Sequence, residues 1–296
     1  MSPLAKAQLQ IHFCVLLWGF TAILGKLISL GALQLVWWRM LIVSAVLFCV
    51  PKVWREVRPM SGRLRGAYAG VGMLVALHWL TFYAAIKLSN ASVGVTCLAV
   101  SPAFISVLEP WLARRRFQAR ELLLGVAVVP GVALVVGGVP PSMHVGIAVG
   151  ILSALFVALF SSLNKRLAGP SHALAVTALE LGAGTALLTV LAPFVAHVGP
   201  AFPLPSARDA VLLGALALGY TLLPFSLALV ALRNLSAFGA QLAINMEPVY
   251  TVLLAILFFG EQRELTLKFY GGVLLILSAV IAYPLWFLRV KEGPLP

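Results

Sequence analysis

Few ionisable side chains interrupt the long apolar runs of this sequence, and those few are the residues that could do chemistry. In the stretch from Ile244 to Glu261, INMEPVYTVLLAILFFGE, Glu247 is the most deeply placed carboxylate, and Pro248 follows it directly. An ionisable group inside an apolar helix is costly unless it is paired or hydrated. Glu247 could therefore face a cavity, as a proton carrier or a partner for an amine. Alternatively, it could accept hydrogen bonds from backbone groups that Pro248 frees.

A second group of candidates surrounds His78, the only histidine that lies well inside an apolar run. Phe82 is four residues further on, on the same helical face, and Trp79 and Tyr83 flank that face. An aromatic face with one hydrogen-bonding group suits a planar, partly apolar ligand. The alternative is a histidine that bonds between helices. We expect His78, Phe82 and Tyr83 to contribute to a binding site.

Gln241 and Asn245 are four residues apart and therefore share a helical face. They are either hydrogen-bonding links between helices or donors in a cavity, and we favour the cavity. Similar polar and aromatic combinations recur in other apolar runs, although each alone fits helix packing better than a site. These residues are Trp18, Thr21, Phe160, Asn164 and Tyr220.

The composition defines the kind of element that must position these residues. Of the 296 residues, 61% are hydrophobic and 10% are charged, whereas a soluble domain typically carries about 25% charged residues. Many runs reach the roughly 20 apolar residues that a helix needs to cross a bilayer. A membrane β-barrel would instead show short alternating segments. The sequence therefore predicts an all-α polytopic membrane protein.

The net charge of +12 would suggest nucleic-acid binding in a soluble protein. Here the basic residues lie in the gaps between apolar runs, so we interpret them as setting membrane orientation and expect no nucleic-acid partner. The three cysteines lie in apolar runs without metal-ligand spacing, so we expect no metal site. The first apolar run lacks a small-residue cleavage site, and we expect no cleaved signal peptide.

Ten transmembrane helices are predicted from the apolar runs. Their approximate ranges are 8–28, 33–51, 66–87, 90–112, 120–138, 146–167, 172–197, 208–232, 235–258 and 266–289. Ten spans place both termini on one side of the membrane. With that count, 15 Lys and Arg residues flank the side of the termini and five flank the other side. This bias predicts cytoplasmic termini.

An internal repeat divides the chain into two halves. At a constant offset of 146 residues, AIKLSNASVGVTCLAVSPAFISVLEPW aligns with ALRNLSAFGAQLAINMEPVYTVLLAIL. The matched pairs are Lys87 with Arg233, Ala91 with Ala237, Pro102 with Pro248 and Gly125 with Gly271. The predicted halves are residues 1–140 and 141–296, with five spans each. Because five is odd, the second half must enter the membrane from the opposite face. Such an inverted repeat predicts a site near the midplane, between the halves.

Pro102 and Pro248 each fall about 12 residues into a predicted span, which is roughly 18 Å along the helix and near the middle of a bilayer. A proline there removes a backbone hydrogen bond and kinks the helix. The freed carbonyl needs a partner, so the segment must be buried in protein or line a wet cavity. We expect both prolines to act as hinge or cavity elements, the alternative being helix packing alone.

These features resemble the EamA-type drug/metabolite transporter superfamily. The shared marks are the Glu-Pro of the ninth span, the Gly-Glu that closes it and the glycine-containing start of the tenth. The segments CVLLWGFTAILGKLI and LHWLTFYAAIKLSNAS look closest to the YddG-type aromatic amino-acid exporters. The first half departs from the pattern, because Ser101 and Arg115 stand where the second half has Glu247 and Glu261.

The resemblance implies a central cavity built from spans 1, 3, 4, 6, 8 and 9, through which small organic molecules move outward. It strengthens the candidates on those spans, and it makes Glu-Pro a feature shared across varied substrates. For that reason we favour a structural role for Glu247. Arg39 and Glu180 are expected near opposite membrane faces, with side chains that reach towards water, and we assign neither to the site.

We therefore expect a secondary transporter of the bacterial cytoplasmic membrane that exports aromatic or other neutral amino acids by alternating access. Its partners would be a small-molecule substrate and membrane lipid, without a cofactor, and the chain has no ATP-binding motif. Exporters of drug-like amphiphiles or phosphorylated sugars are the alternatives. A phosphate would need Lys or Arg at the midplane, and the basic residues fall mainly at span ends. An intramembrane lipid-modifying enzyme is a more distant alternative, so we expect no enzymatic activity.

Overall fold

The computed structural model describes residues 2–169, 171–195, 202–263 and 265–290, and side chains in these ranges except at 195 and 279–290. Every regular element in these ranges is a helix, as predicted. The end of the predicted span 172–197 and part of the proline-rich break at 199–209 lie outside the described residues. So does Lys291, one of the basic residues behind the charge bias.

The described residues before position 140 form nine α-helices. They are α1 (Pro3–Trp18), α2 (Thr21–Leu27), α3 (Ala32–Phe48), α4 (Pro51–Val57), α5 (Gly62–Leu88), α6 (Ala91–Cys97), α7 (Ser101–Leu112), α8 (Ala119–Ala127) and α9 (Val129–Gly137). A 3₁₀ turn at Leu98–Val100 joins α6 to α7. The predicted break at 51–65 thus contains a short helix, α4, which buries Val53 and Val57.

The described residues after position 140 form seven more α-helices. They are α10 (His144–Leu167), α11 (Ala173–Val195), α12 (Ala207–Gly214), α13 (Leu223–Ala231), α14 (Ala237–Ile244), α15 (Glu247–Phe259) and α16 (Leu267–Val290). Short 3₁₀ turns precede α10 at Pro141–Met143 and α16 at Glu261–Arg263. A π-helical stretch, Ala215–Leu222, joins α12 to α13.

Eight helical stretches in the described residues are long and apolar enough to cross a membrane. The pair α3 and α4, bent by 88°, makes nine if it is taken as one span. The described apolar part of α16, Leu267–Ser278, is shorter. The structure agrees with the predicted polytopic membrane protein, while the count of ten spans and the cytoplasmic termini stay predictions.

The fourth and ninth predicted spans are both interrupted at their prolines. Pro102 lies in the first turn of α7, and Pro248 lies in the first turn of α15. Because proline has no N–H to donate to the preceding turn, each span ends before its proline and restarts there. The 3₁₀ turn after α6 and the residues Asn245–Met246 after α14 form the two breaks.

Glu109, near the end of α7, caps the amino-terminal end of α14. Its buried carboxylate accepts hydrogen bonds from the backbone N–H groups of Ala237 and Phe238, both at 2.9 Å. The Arg115 guanidinium lies 3.0 Å from Glu109 and also pairs with Glu121. Burial alone would lower the pKa of Arg115, but its hydrogen bonds to the two carboxylates outweigh that effect and raise the pKa above its ordinary value.

Glu261, directly after α15, caps the amino-terminal end of α6 in the same way. Its carboxylate is fully buried and accepts hydrogen bonds from the backbone N–H groups of Ala91 and Ser92, at 3.2 and 3.1 Å. The Ser92 hydroxyl donates to it at 2.6 Å, and the Lys26 ammonium lies 2.7 Å away. The starts of both interrupted spans are therefore held by carboxylates from the other half of the chain.

The π-helical stretch interrupts a span that the sequence predicts as one continuous helix. Its wide turn lets the Thr221 hydroxyl donate to the carbonyl of Leu216 at 2.6 Å, and Pro224 follows in the first turn of α13. Single π-helical turns are rare, and they are often found at functional sites. This one places the Thr221 hydroxyl beside the cavity described below.

Glycines allow the central helices to approach closely. A Cβ atom on Gly72 of α5 would overlap the backbone carbonyl of Glu180 on α11. On Gly272 of α16, a Cβ atom would stand 2.5 Å from the carbonyl oxygen of Gly131 on α9. Small residues at such contacts let membrane helices pack backbone against backbone. The first of these contacts holds α5, which lines the cavity described below, against α11.

Candidate substrate cavity

A cavity lies between the two halves of the chain, beside both interrupted spans. Its walls come from α1, α2, α5, the 3₁₀ turn after α6, α10, α13, α14 and the start of α15, and one residue comes from α3. These elements belong to the six spans that the resemblance implies, with the second span added through Arg39. The sequence-predicted residues that line the cavity are Trp18, Thr21, His78, Phe82, Phe160, Asn164, Gln241 and Glu247.

Tyr83, Tyr220 and Asn245, which we also predicted to bind substrate, are not among the lining residues. Tyr83 lies behind the wall, where its hydroxyl accepts a hydrogen bond from Arg39 at 2.9 Å. Tyr220 is half-buried on the π-helical stretch, with its ring 5.6 Å from that of Phe20. Tyr83 and Tyr220 lie on the predicted spans, but on helix faces that do not line the cavity. The sequence indicated how deep each residue lies in the membrane, but not how its helix is rotated about its axis.

Asn245 forms a link between the two interrupted spans rather than a wall of the cavity. Its side-chain amide donates to the carbonyl of Ala99 at 3.1 Å. Ala99 lies in the break of the fourth span, and Asn245 lies in the break of the ninth, 146 residues further on. Asn245 therefore makes an interhelical contact, while Gln241 is among the residues that line the cavity.

Arg39 is a cavity residue, contrary to the prediction that its side chain reaches towards the membrane surface. It is only 2% exposed, and its guanidinium carbon lies 3.8 Å from the ring centre of Trp79. Its Nε donates to the Thr221 hydroxyl at 2.6 Å, and one Nη donates to Tyr83. The aromatic pair Trp79 and Tyr83, four residues apart on α5, was the sequence signal that could have indicated a buried cation.

Glu247 faces the cavity with a carboxylate that accepts no hydrogen bond within the described residues. The structural role that we favoured, as acceptor for backbone groups freed by Pro248, is therefore not seen. The carboxylate is 6% exposed and lies in the first turn of α15, where the helix dipole favours a negative charge. It is close enough to Arg39 to interact electrostatically, yet no direct ion pair joins the two.

His78 makes an interhelical hydrogen bond and also lines the cavity. Its Nδ1 lies 2.7 Å from the Ser153 hydroxyl on α10, and that hydroxyl donates to the His78 carbonyl at 2.9 Å. With the hydroxyl hydrogen so used, Nδ1–H is the donor to Ser153. The imidazole also lines the cavity, between the rings of Phe82 and Phe160, at centroid distances of 6.0 and 5.5 Å.

Two amide oxygens in the cavity wall have no partner within the described residues. They are Oε1 of Gln241 and Oδ1 of Asn164. Asn164 also donates to Glu180 at 3.5 Å, and the second oxygen of Glu180 has no partner. Glu180 is fully buried, so the prediction that it reaches towards water is wrong. Buried acceptors normally find donors, so a ligand or water has acceptors to satisfy here.

The model of the EamA-like transporter family matches residues 6–137 and again residues 144–283. The chain belongs to the EamA-like transporter family. A solved structure described only as "Crystal structure of protein" has 16% sequence identity and a TM-score of 0.71, and the match covers 97% of this chain and 99% of that one. That likeness supports the fold alone. Among curated proteins no significant match was found.

Membership of the EamA-like family makes the protein an integral membrane protein of a transporter family. It points to transport of small solutes rather than to catalysis. The cavity is accordingly a candidate for the path of the solute, and its aromatic walls and unpaired polar groups are the features that could select it.

Proposed function

We propose that this EamA-like transporter is a secondary transporter that exports aromatic or other neutral amino acids across the bacterial cytoplasmic membrane. The observation that carries the proposal is the cavity itself. Its walls are mainly apolar and aromatic, and its few polar groups include amide and carboxylate oxygens without protein partners. A small zwitterion with an apolar side chain would satisfy both parts of such a site.

Alternating access is supported by the two interrupted spans, which meet at the cavity. Breaks in corresponding helices provide places where the backbone can bend, and half-helices at mid-membrane are typical of transporter sites. In this structure the cavity reaches Leu232 and Ala237, at the helix ends predicted to be cytoplasmic. Carboxylate clusters hold the predicted helix ends together on both sides, around Glu261 on the outer side and around Glu109 on the inner side.

A carrier of organic anions is the second candidate, and Arg39 favours it. The sequence placed no cation in the cavity, and the structure places one there. Glu247 lines the same cavity, however, and its negative charge opposes a doubly charged phosphate ester. The balance of one cation and one carboxylate favours a zwitterion over an anion.

Uptake into proteoliposomes tests the proposal. Purified protein should move labelled phenylalanine faster than protein-free liposomes do, and excess unlabelled neutral amino acids should compete. A phosphorylated sugar should neither be transported nor compete. Transport of the phosphorylated sugar without transport of any amino acid would reject the proposed substrate class and favour the second candidate.

A further inference from the structure

We propose that Arg39 and Glu247 form a divided head-group site for a zwitterion. Arg39 would bind the substrate carboxylate, and Glu247 would bind the substrate ammonium. The inference rests on the proposed function and deepens it by assigning each charge of the substrate to one side chain. Both side chains line the same cavity, and both are more than nine-tenths buried.

The orientation of Arg39 leaves donors free for a ligand. A guanidinium has five N–H groups in a fixed plane. Two of them are used, by Thr221 and Tyr83, and the face of the plane lies on the Trp79 ring. These contacts hold the group in place, and its other three N–H groups have no hydrogen-bond acceptor within the described residues. A planar carboxylate can accept two parallel N–H groups from such a fork.

The carboxylate of Glu247 is the complementary half of the site. It has no hydrogen-bond donor within the described residues, although it is buried. An ammonium group has three N–H donors, and Glu247 can accept one or two of them. Gln241, six residues earlier and across the break between α14 and α15, lines the same cavity, and its unpaired Oε1 is a further acceptor.

Because the Arg39 guanidinium and the Glu247 carboxylate do not pair with each other, the cavity should bind a zwitterion in preference to a ligand with one charge. If Arg39 and Glu247 touched, they would satisfy each other and leave little for a ligand. Arg39, on α3, is hydrogen-bonded to Tyr83 of α5 and to Thr221 of the π-helical stretch, and Glu247 lies at the start of α15; no direct ion pair joins them. Unpaired buried charges are costly. A ligand carboxylate would pair with Arg39, and a ligand ammonium would pair with Glu247 and favour its ionised form; a zwitterion makes both contacts, whereas a ligand with one charge makes only one.

The aromatic part of the substrate then has a defined place. The rings of His78, Phe82 and Phe160 lie next to one another in the wall of the same cavity. A planar side chain can lie against this aromatic wall while the head group bridges Arg39 and Glu247. Ring contacts of this kind add affinity beyond simple burial of apolar area.

Three ligands with one scaffold test the assignment. Phenylalanine has both charges, 3-phenylpropionate has only the carboxylate, and phenethylamine has only the amine. Each is used as an unlabelled competitor of labelled phenylalanine uptake by the wild-type protein. We expect phenylalanine to compete at least about tenfold more strongly than either analogue, because a site built for a polar group rejects a ligand that lacks it. Equal competition by all three, with phenylalanine transported, would overturn the inference and leave the proposed function intact.

The two charge-removing variants should give opposite patterns. Arg39→Gln should remove the preference for phenylalanine over phenethylamine, and Glu247→Gln should remove the preference over 3-phenylpropionate. Arg120→Gln and Glu56→Gln remove the same charges outside the cavity and should keep wild-type selectivity. Folded variants that keep both preferences would refute the assignment. If Arg39→Gln does not fold, Arg39→Lys keeps the charge without the fork, and direct binding of the three ligands to detergent-solubilised wild type gives the same comparison without a variant.

Discussion

Glu109 and Glu261 each close the start of an interrupted helix that belongs to the other half of the chain. The amide groups that they accept from are equivalent, because Ala91 and Ala237 are matched in the internal repeat. The two carboxylates are not equivalent, since Arg115 stands at the repeat position of Glu261. The same physical need, a negative charge beside the unpaired amide groups of a buried helix start, is thus met from two different sequence positions.

Replacing Glu261 by Gln should destabilise the protein. The carboxylate accepts from two backbone amides and one hydroxyl and pairs with Lys26, whereas an amide would turn one NH2 group towards these donors. We expect a loss on the order of 2–4 kcal/mol, seen as a lower thermal unfolding temperature in detergent. Arg263→Gln, at an exposed neighbouring position, is the control. Equal unfolding temperatures for the two variants would contradict the capping role.

The Arg115 and Glu109 pair should show energetic coupling. Glu109→Gln removes both the ion pair and the cap on α14, so it should lower stability more than Arg115→Gln does. In a double-mutant cycle we expect a coupling of about 1 kcal/mol, measured from chemical or thermal unfolding. Purely additive effects of the two substitutions would show that the pair contributes nothing beyond its separate contacts.

Asn245→Ala and Gln241→Ala should distinguish a residue that stabilises helix packing from one that lines the cavity. Asn245 bonds the Ala99 carbonyl, so its loss should reduce stability by about 1 kcal/mol. Gln241 lines the cavity, so its loss should reduce transport of phenylalanine. Its side-chain amide makes only a long, 3.5 Å bond to Asn245, so the unfolding temperature should fall less than in Asn245→Ala. A transport loss confined to Asn245→Ala would reverse this assignment.

His78→Ala should reduce phenylalanine transport more than Ser153→Ala does. Both substitutions break the bond between α5 and α10, but only the first removes a ring from the aromatic wall. Initial uptake rates at several substrate concentrations distinguish the two, with a raised apparent KM expected for His78→Ala. Equal rates and KM values for both variants would mean that His78 acts only between the helices.

Gly72→Ala should prevent normal assembly, because even one methyl group would overlap the Glu180 backbone. Gly70, two residues earlier on α5, has open space where its Cβ would be. Gly70→Ala is therefore the matched control and should be tolerated, with a gain of at most about 1 kcal/mol from better helix propensity. Size-exclusion profiles of the two detergent extracts compare them directly. A normal profile for Gly72→Ala would show that α5 and α11 can move apart.

Local sequence chemistry predicted much of the frame. Apolar runs indicated the helices, and Pro102 and Pro248 marked the interruptions because proline acts within its own turn. The resemblance supplied the spans that line the cavity, and the candidates His78, Phe82 and Gln241 on those spans do line it. These features depend on nearby residues or on a shared pattern, so they can be read from one chain.

Features that depend on distant partners were missed or misplaced. Arg39 was placed by depth alone, but its position is decided by Trp79, Tyr83 and Thr221, which lie 40 to more than 180 residues away in the chain. The cap by Glu109 spans 128 residues, and no local pattern indicates it. The rotation of each helix about its axis could not be predicted either. Tyr83 lies on a cavity-lining helix, but its side chain packs behind the cavity wall, against Arg39.

The caps that Glu109 and Glu261 provide to helices of the other half also affect the order in which the chain can fold during synthesis. Ala91 is synthesised 170 residues before Glu261, so the first amide groups of α6 must wait for almost the whole polypeptide before their acceptor exists. Until then this early segment depends on water, lipid headgroups or the insertion machinery. A nascent chain that stops before residue 261 would therefore be a substrate for membrane quality control, even with its preceding apolar helices inserted.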